Sequence, residues 1–383
     1  MADTKIFTEN IDFAALKIIK SIGNDPHFDG SKIRIMPDTH AGEGIVVGFT
    51  CPVGSSINPE HIGTDIGCGI ETVFFDNILS PEDYPIFEQR IRNAVPMGKD
   101  LNDKREFDLK DFCKFIRKEI NKASQYSDGL VNAIPFNNER DITNWCKSVN
   151  LEEKTFYKSI GTLGGGNHFI ELDYNEERNM MGITVHTGSR SIGQKVCKAW
   201  VRKTVMTGGY LSGNMISGYL TDMVIAQAYA KYNRKVILEK IAAIYKKLCK
   251  GNVTETISSV HNYLDFSDMI IRKGAIRSYI DELMVIPFNM RDGIAICHGK
   301  SNEDWNFSAP HGAGRVMSRS KAKENITMEE FQESMKGVYS TSVTESNIDE
   351  SPMAYKNKDM ILKDIEPTCE VLYFMKPVIN IKA

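Results

Sequence analysis

Histidine, carboxylate and thiol side chains stand beside glycine-rich or polar loops at several places in this 383-residue sequence. A single histidine in such a place is usually structural, but several of them, together with a carboxylate and a thiol, suggest one common site. Imidazole, carboxylate and thiolate ligands suit manganese, zinc, iron or cobalt. The set is large enough for two metals that share the thiolate, and two metals can stabilise the attacking and leaving oxygens of a phosphoryl transfer. Its members are His40, His168, His186, His261, His311, Asp65 and Cys68.

The carboxylate of Asp65 and the thiol of Cys68 lie three residues apart, among the glycines of residues 63–70. In an irregular loop, small neighbours let both side chains turn toward one centre. Sulfur is the softer ligand, so this pair favours a divalent transition metal over magnesium alone. The alternative interpretation is a buried structural cysteine beside a turn aspartate, because a free cysteine usually behaves as a small buried hydrophobe.

The densest glycine run, residues 161–171, ends in Asn167, His168, Phe169 and Glu171. Three consecutive glycines allow positive φ and a close approach of the backbone to a ligand. The residues that follow alternate like a half-buried strand, which predicts a bare loop that delivers functional groups onto a rigid strand. No Gly-Lys-Ser/Thr ending is present and the glycine spacing is not that of a dinucleotide fingerprint. The alternative is a plain glycine turn with a buried histidine.

Residues 187–193 form a second loop of small residues, directly after a predicted strand, 182–186, that ends at His186. Backbone N–H groups, hydroxyls and the guanidinium of Arg190 would together bind an oxyanion or a phosphate there. The alternative is a hairpin turn with a surface arginine.

His311 lies between a proline and the loop 312–314, which reads Gly-Ala-Gly. A helix is predicted from Val316, so the loop would lie at a helix N-terminus, where unpaired N–H groups favour anions. Histidine can form a covalent phosphoramide, and His311 has the best surroundings of the histidines for that role. The alternative is a solvated basic helix face. The basic residues after the loop are Arg315, Arg319, Lys321 and Lys323.

Three other polar features have structural interpretations when they are taken alone. Asp38 and His40 fit a turn with local side-chain capping. His261 fits a satisfied histidine at a strand end, and residues 272–275 read as a basic turn.

The coarse organisation combines two helical sections with several strands. Residues 80–125 are prone to helix formation around a polar surface loop at 100–110, and apolar residues in 194–250 recur at three- and four-residue steps that predict a core-facing helical section. The motifs are spread from residue 38 to the end, which favours one integrated catalytic domain over residues 1–383.

Composition indicates a soluble globular protein, with 42% hydrophobic and 25% charged residues. No apolar run is long enough to span a membrane and no secretory signal is recognisable, so a cytoplasmic location is expected. The formal net charge of −3 argues against indiscriminate coating of nucleic acid but permits a local basic groove. The eight cysteines never form a Cys-x-x-Cys pair and are expected to be mostly free thiols.

The residues alone therefore indicate metal-dependent phosphoryl or nucleotidyl transfer on a phosphate-rich substrate. The chain also resembles the RtcB family of GTP-dependent RNA-splicing ligases. Nine motifs in collinear order carry the resemblance: MPDTHAGEG, GTDIGCG, GTLGGGNHFIE, HTGSRSIG, HNY, RKGA, HGAGRVMSRSKAK, SPMAYK and the terminal VINIKA. Each motif is weak by itself, and nine in order are very specific.

The resemblance implies an α+β fold, with mixed β-sheets around a central metal and nucleotide cleft. RtcB-like enzymes join an RNA 2′,3′-cyclic phosphate or 3′-phosphate end to a 5′-hydroxyl end, using GTP and Mn²⁺. His311 would attack the α-phosphorus of GTP, become guanylylated and pass GMP to the RNA 3′-phosphate. The RNA 5′-hydroxyl would then displace GMP.

Further roles carry over by motif. Two Mn²⁺ ions, bridged by the thiolate, would be bound by Asp65, Cys68, His168, His186 and His261. The guanylate would contact Asn167, Phe169, Glu171, Asn289, His311, Gly312, Ala313, Gly314, Tyr355 and Lys382. Phosphate or RNA would contact Arg190, Arg315 and Arg319. RNA is the implied partner, the need for an activating protein stays open, and no membrane association is expected.

One segment departs from the family pattern. After the Ile-Pro pair the family usually has Gly-Ser-Met-Gly and a further serine, which help to hold guanine. Here residues 288–293 read Phe-Asn-Met-Arg-Asp-Gly, so both hydroxyls are replaced, although Asn289 would still offer an amide to the base. Glu43 also stands where a basic or aromatic residue is commoner. These departures suggest a divergent branch, an RNA-repair ligase instead of the housekeeping tRNA-splicing enzyme.

Two alternatives accompany the ligase hypothesis. One is a metal-dependent RNA phosphodiesterase or cyclic-phosphate hydrolase that has lost the nucleotide step. The other is a non-catalytic RNA-binding relative, which the presence of every candidate metal ligand disfavours.

Overall fold

The computed structural model describes residues 1–383 and has an α+β architecture, which confirms the expected fold class. The helices are α1 (Phe13–Gly23), α2 (Tyr84–Ala94), α3 (Leu109–Tyr126), α4 (Glu139–Ser148), α5 (Glu153–Lys158), α6 (Ser191–Lys203), α7 (Asn214–Cys249), α8 (Arg319–Asn325), α9 (Met328–Ser334) and α10 (Lys358–Ile365). The strands are β1 (Asp3–Ile6), β2 (Lys32–His40), β3 (Val47–Pro52), β4 (Ser56–Ile57), β5 (Gly69–Phe75), β6 (Phe169–Asn175), β7 (Met180–Thr187), β8 (Leu211–Ser212), β9 (Val253–Val260), β10 (Asn262–Asp265), β11 (Ile270–Lys273), β12 (Ala275–Arg277), β13 (Leu283–Pro287), β14 (Ile294–Gly299), β15 (Ser308–Pro310) and β16 (Cys369–Ile381).

Two larger sheets carry most of the strands. The seven-stranded sheet has the order β13-β14-β16-β6-β7-β5-β9 and is antiparallel throughout. The five-stranded sheet has the order β1-β2-β3-β11-β10, and only its β1–β2 pair is parallel. The backbone N–H of Val285 on β13 donates to the hydroxyl of Ser259 on β9 at 2.9 Å, so the two edges of the seven-stranded sheet approach each other.

Strand register brings the polar motifs to one end of the seven-stranded sheet. Gly69, the first residue of β5, pairs with Thr187 at the end of β7 and with Val260 at the end of β9. Phe169, the first residue of β6, pairs with His186. The segments that carry Cys68, the glycine run, His186 and His261 therefore meet at the same edge of the sheet.

Helix α7 supports these strands from behind and passes between two hydrophobic cores. Its first half packs in a large cluster with α3, α4 and α6, whereas Ile237, Ile241 and Tyr245 pack with the seven-stranded sheet and α2. Because it is covered on more than one side, α7 buries residues all round its circumference instead of along one stripe.

The predicted helical sections are present but more divided than the sequence indicated. Residues 80–125 contain α2 and α3 on either side of a loop, as expected, although α3 extends from Leu109 to Tyr126. Residues 194–250 are two helices, α6 and α7, and not one continuous section. Positive φ at Gly208 (65°) and Gly209 (94°) turns the chain between them.

Three local predictions are wrong. Residues 272–275 are not a surface turn, because Arg272 and Lys273 lie buried at the end of β11 and Gly274 only separates β11 from β12. The helix after His311 begins at Arg319, since Ser318 is the residue that caps it, so the loop 312–314 is not at a helix N-terminus. The sequence also predicts two separate C-terminal strands, 370–374 and 377–381, but these residues belong to one strand, β16, with a register shift between Pro377 and Ile379.

Candidate active site

A cleft of about 720 Å³ opens at the strand ends where the motifs converge. Its walls come from the N-terminal segment, the cysteine and glycine loops, the loop after β15, and the C-terminal strand. Cavities of this size with a few convergent polar groups commonly bind small ligands. One end of the cleft is rich in metal-ligating atoms and the other in charged and aromatic side chains.

The metal-ligating end is centred on the thiol of Cys68, which is 2% exposed. Its Sγ lies 3.5 Å from Nε2 of His168 and 3.3 Å from Nε2 of His186. Nε2 of His186 lies 3.2 Å from Nε2 of His261, and Nε2 of His168 lies 3.0 Å from Oδ2 of Asp65. All five side chains predicted to bind metal are thus in one cluster.

These side chains form two groups of three that share the thiol. In each group the ligand atoms lie within 4.8 Å of one another. A nitrogen-oxygen-sulfur set around one point suits a transition metal, and the shared sulfur suits two neighbouring ions. One group is Asp65, Cys68 and His168, and the other is Cys68, His186 and His261.

Backbone carbonyls fix which nitrogen of His168 and of His186 faces the cluster. Nδ1 of His168 donates to the carbonyl of Leu163 at 2.9 Å, and Nδ1 of His186 donates to the carbonyl of Asn167 at 3.0 Å. Because Nδ1 carries the proton in both rings, each Nε2 presents a lone pair to the centre, as metal ligation requires. The two ring lone pairs and the sulfur of Cys68 converge on one point, where a cation would satisfy them.

Ionisation in the cluster follows from burial. Desolvation, together with the charges of neighbouring histidines, lowers the pKa of His186 and His261 well below its ordinary value, so both rings are neutral ligands at neutral pH. Burial opposes ionisation of Asp65, but the neighbouring ring of His168 lowers the pKa of this carboxyl. Burial and Asp65 raise the pKa of the Cys68 thiol, and a bound metal would reverse this shift, because a coordinating thiol is deprotonated.

Two fully buried residues of α7 hold the loops of the metal end. The amide of Asn233 accepts from the backbone N–H groups of Gly161 and Thr162 and donates to the carbonyls of Thr162 and Gly188. The guanidinium of Arg234 donates to the carbonyls beside the ligands Cys68 and His186, at 2.7 and 2.9 Å. The glycine loop, the cysteine loop and the end of β7 are thereby tied to one helix.

His311 lies between the two ends of the cleft. Its Nδ1 is 2.6 Å from Oδ2 of Asp38, which is fully buried on β2, and its ring centroid is 4.6 Å from that of His261. A carboxylate acceptor keeps the proton on Nδ1 and leaves Nε2 as a free nucleophilic nitrogen. Gly314 lets this loop pack directly against Asp38, since a Cβ there would overlap the Asp38 backbone and its φ is 72°.

The other end of the cleft begins at Glu171 on β6, whose carboxylate accepts from the amide of Asn380 on β16. The carboxyl of Asp173 lies beside it on the same face of β6, and both are almost completely buried. Desolvation and their mutual repulsion raise the pKa of Glu171, so this pair retains a proton more readily than ordinary carboxylates do.

A single carboxylate, Glu350, organises the rest of this end. It is 2% exposed and lies 2.9 Å from Nζ of Lys382, 2.7 Å from the hydroxyl of Tyr355 and 2.5 Å from the guanidinium of Arg319. Arg315 is 3.3 Å away. Burial opposes its ionisation, but the charges of Lys382 and Arg319 lower the pKa of Glu350 to about 2.

All ten residues implied for the nucleotide line the cleft, and one of them is engaged elsewhere. The lining residues are Asn167, Phe169, Glu171, Asn289, His311, Gly312, Ala313, Gly314, Tyr355 and Lys382. The amide of Asn289, however, donates to Asp292 at 2.7 Å while its oxygen caps the following turn, so it is not free to face a base.

The basic residues expected at phosphate are largely paired within the protein. The guanidinium of Arg190 lies behind the glycine loop, where it donates to Thr162 and to the carbonyl of Gly98, and it does not line the cleft. Arg315 and Arg319 do line it, and both are held by Asp349 and Glu350. The acids that balance this basic run follow it by about thirty residues, which is why the local sequence showed none.

Several functional candidates were not assigned from the sequence. Asp38 was assigned to turn capping and in fact contacts His311 across 273 residues of chain. Lys273, assigned to a turn, lines the cleft, and burial lowers its pKa to about 8. Glu350 directly precedes a recognised motif, and the polar pair Asn233 and Arg234 interrupts an apolar helix. These two sequence features could have marked Glu350, Asn233 and Arg234 as candidates.

Sequence comparison agrees with this arrangement. The profile of a family described as "tRNA-splicing ligase RtcB" matches residues 26–383. The chain belongs to the RtcB family. The match covers every strand and loop of the cleft except the segment that precedes residue 26 and includes α1.

Three relatives illustrate the range of similarity. The RNA-splicing ligase RtcB of Escherichia coli K12 is 29% identical over 381 residues, which cover 91% of this chain and 90% of that protein. The tRNA-splicing ligase RtcB of Pyrobaculum aerophilum is 24% identical, with 86% and 82% covered. The RNA-splicing ligase RtcB of Mycobacterium bovis is 22% identical, with 86% and 91% covered.

Hydropathy adds one observation on the helices of this RtcB family member. None of them combines the length and the apolar composition that crossing a lipid bilayer requires.

Proposed function

We propose that this chain is an RNA ligase that joins 2′,3′-cyclic phosphate or 3′-phosphate ends to 5′-hydroxyl ends, with GTP and Mn²⁺, through a covalent His311–GMP intermediate. Residues 1–383 would act as one catalytic domain. Membership of the RtcB family and the names of the relatives support RNA ligation. The observation that carries the covalent step is the position of His311, with Nδ1 held by buried Asp38 and Nε2 free between the two ends of the cleft.

The first step follows from this geometry. Nε2 of His311 attacks the α-phosphorus of the nucleotide, an N–P bond forms and the P–O bond to pyrophosphate breaks. The ring becomes positively charged as the bond forms, and the Asp38 carboxylate stabilises that charge through Nδ1–H. A cyclic end is first opened by water to a 3′-phosphate.

The remaining steps return the histidine to its starting state. An oxygen of the RNA 3′-phosphate attacks the guanylyl phosphorus, the N–P bond breaks and His311 leaves as a neutral ring. The RNA 5′-hydroxyl then attacks the activated 3′-phosphate, loses its proton and displaces GMP. Lys273 lines the cleft with its ammonium held by the carbonyls of Glu43 and Ile45, and it would contribute positive charge near these phosphates.

The side chains that would hold two Mn²⁺ ions are Asp65, Cys68, His168, His186 and His261. Bound there, the ions would supply Lewis-acid stabilisation of phosphoryl oxygens beside His311. The donor set and the two groups that share one thiol fit this role.

Base selection is proposed to fall on Glu171, because the amide of Asn289 is engaged by Asp292. Asn380 holds the Glu171 carboxylate at the cleft wall. A carboxylate suits a base edge that offers N–H donors, such as guanine.

Nucleotide labelling tests the proposal. The full chain is incubated with Mn²⁺ and each of the four NTPs labelled at the α-phosphate. We expect an acid-labile, alkali-stable adduct with GTP that is lost in His311→Ala. His298→Ala, at a half-buried histidine of β14 outside the cleft, is the matched control and should label normally.

Product analysis with RNA distinguishes the other classes of function. RNA with a 2′,3′-cyclic phosphate end and RNA with a 5′-hydroxyl end should give a joined strand. An adduct that survives His311→Ala would falsify the covalent role. Hydrolysis of the cyclic end without joining would instead indicate a phosphodiesterase. A protein that binds no metal and does not convert the RNA would indicate a non-catalytic RNA-binding relative.

A further inference from the structure

An exposed aromatic ring stands at the mouth of the cleft. Phe13 is 84% exposed, and both of its chain neighbours, Asp12 and Ala14, line the cleft. Twelve large apolar side chains are exposed on the molecule, and among them only Val316 lines the cleft itself, whereas Phe13 lies between two residues that do. An exposed phenylalanine side chain forgoes about 2 kcal/mol of the free energy that its burial would contribute. Its position beside the cleft therefore calls for an explanation.

Helix α1 fixes the exposure of this ring. Asp12 caps the helix by accepting from the backbone N–H of Ala15 at 2.8 Å. Ala15, Ile19 and Ile22 form the buried face of the helix. Phe13 lies about 200° around the helix from Ala15, so that face cannot be buried without turning Phe13 outward.

The segment that carries Phe13 is anchored to the catalytic machinery. The ammonium of Lys356, which is 5% exposed, donates to the carbonyl of Asn10 at 3.0 Å and to the carbonyls of Pro37 and Thr39 at 2.9 and 3.1 Å. The last two carbonyls flank Asp38, the residue that holds His311. The start of α1 is therefore fixed relative to the nucleophile.

The ring is accessible, and cations are present on its helix and in the cleft. Lys17 is exposed one helical turn after Phe13, on the same side of α1. Arg319 and Lys321 line the cleft itself. An aromatic face beside cations is the arrangement by which proteins bind single-stranded nucleic acid, since every base has a π-face and every nucleotide a phosphate.

We propose that Phe13 is a stacking platform for an unpaired base of the RNA whose reacting end enters the cleft. The inference rests on the proposed ligase function and adds a subsite to it. Helix α1 lies outside the residues that match the family profile, so the platform belongs to a part of the chain that the family match does not describe. Stacking tolerates any base, and the platform would thus hold an RNA end without selecting its sequence.

The test measures RNA binding by the full chain with Mn²⁺ and without nucleotide, using single-stranded RNA with a 3′-phosphate. Phe13→Ala should weaken binding about tenfold, which corresponds to about 1.4 kcal/mol. Phe13→Trp should restore it because the ring is retained, and Phe13→Leu should not. Met206→Ala is the matched control, since Met206 is 92% exposed and does not line the cleft.

RNAs that lack the base at one of the last four positions locate the contact. At the stacked position, base removal and Phe13→Ala should not be additive, because each removes the same interaction. Labelling of His311 by GTP should be unchanged in Phe13→Ala. If wild type joins RNA and Phe13→Ala binds it equally well, the platform is refuted and the ligase proposal stands. If wild type neither binds nor joins RNA, both fall.

Discussion

The two ends of the cleft are built in different ways. The metal end consists of strand ends whose register is set by the seven-stranded sheet and whose loops are tied to α7 by Asn233 and Arg234. The other end, which is proposed to bind the nucleotide and is called the nucleotide end below, combines Glu171 on β6 and Asn380 on β16 with the chain between β15 and β16. The charge of Glu350 holds the side chains of that chain segment and Lys382 together. Rigid backbone suits metal ligands, which must meet at short fixed distances. An arrangement of side chains held by one buried charge suits a ligand that must bind and dissociate.

Ligand removal at the metal end should have the largest effect. We expect His168→Ala to abolish metal-dependent labelling of His311, because one of the two ligand groups loses a member. Glu171→Ala should instead raise the GTP concentration needed by up to about tenfold, as loss of one hydrogen bond does. Labelling measured against GTP concentration separates the two variants, and equal loss in both would contradict the division between the ends.

Asp38 joins the two ends, and its effect should be the next largest. In Asp38→Asn, the amide can donate to Nδ1 of His311, which moves the ring proton to Nε2 and blocks attack. Orienting carboxylates of this kind are worth about 10³–10⁴ in rate. We expect single-turnover labelling to slow by about that factor while Mn²⁺ affinity, measured by electron paramagnetic resonance, is unchanged. A parallel fall in Mn²⁺ affinity would place Asp38 among the metal determinants instead.

The buried amide of Asn233 should affect metal binding without touching metal. Asn233→Ala leaves two backbone N–H groups and two carbonyls unpaired behind the glycine loop. Groups that orient ligands are worth about 10–100-fold in metal affinity, and we expect a loss of Mn²⁺ affinity in that range. Thr221→Ala is the control, because the buried side chain of Thr221 lies about three turns earlier on α7 and also accepts from a backbone N–H, that of Asn132. It should lower stability and leave Mn²⁺ affinity intact.

The smallest effect concerns stability at the nucleotide end. The pKa of Glu350 is lowered to about 2 from a reference value of 4.5, so the folded state binds its proton less readily than the unfolded state. Stability from this group is complete above pH 5 and is lost as pH falls toward 2, by at most about 3 kcal/mol. Urea unfolding at a series of pH values should show that the free energy of unfolding falls less at acid pH for Glu350→Gln than for the wild type. If the free energy of unfolding depends on acid pH equally in the variant and the wild type, the ion pairs of Glu350 do not stabilise this end of the cleft.

What the sequence could predict differs between the ends for physical reasons. Glycine-flanked polar residues at strand ends leave a local signature, so the seven candidate residues and the strands β6 and β7 were recognisable from the sequence pattern. The choice of five metal ligands among the seven came from the resemblance to the RtcB family. The pairing of Asp38 with His311 depends on the order of strands in two sheets, and no local pattern encodes it.

The nucleotide end was harder for the same reason. Its charges are balanced by Asp349 and Glu350 at long range, so the basic run after His311 looked unopposed. The helix expected from Val316 starts three residues later, because Ser318 caps Lys321 and sets the start. The polar pair on α7 was hidden in a helix whose periodicity reads as core.

The passage of α7 through both cores has a consequence for how the protein acquires its metals. Amides in the turn around Asn233 and Arg234 belong to the most buried helix of the molecule, so they should exchange hydrogen only on global unfolding. The glycine and cysteine loops, which are hydrogen-bonded to this turn, should therefore keep their conformation when the metal ions dissociate. A chelator should therefore strip the ions and spare the fold, unlike in small zinc domains that unfold when their metal is removed, and loading should be a reversible equilibrium with a preformed receptor.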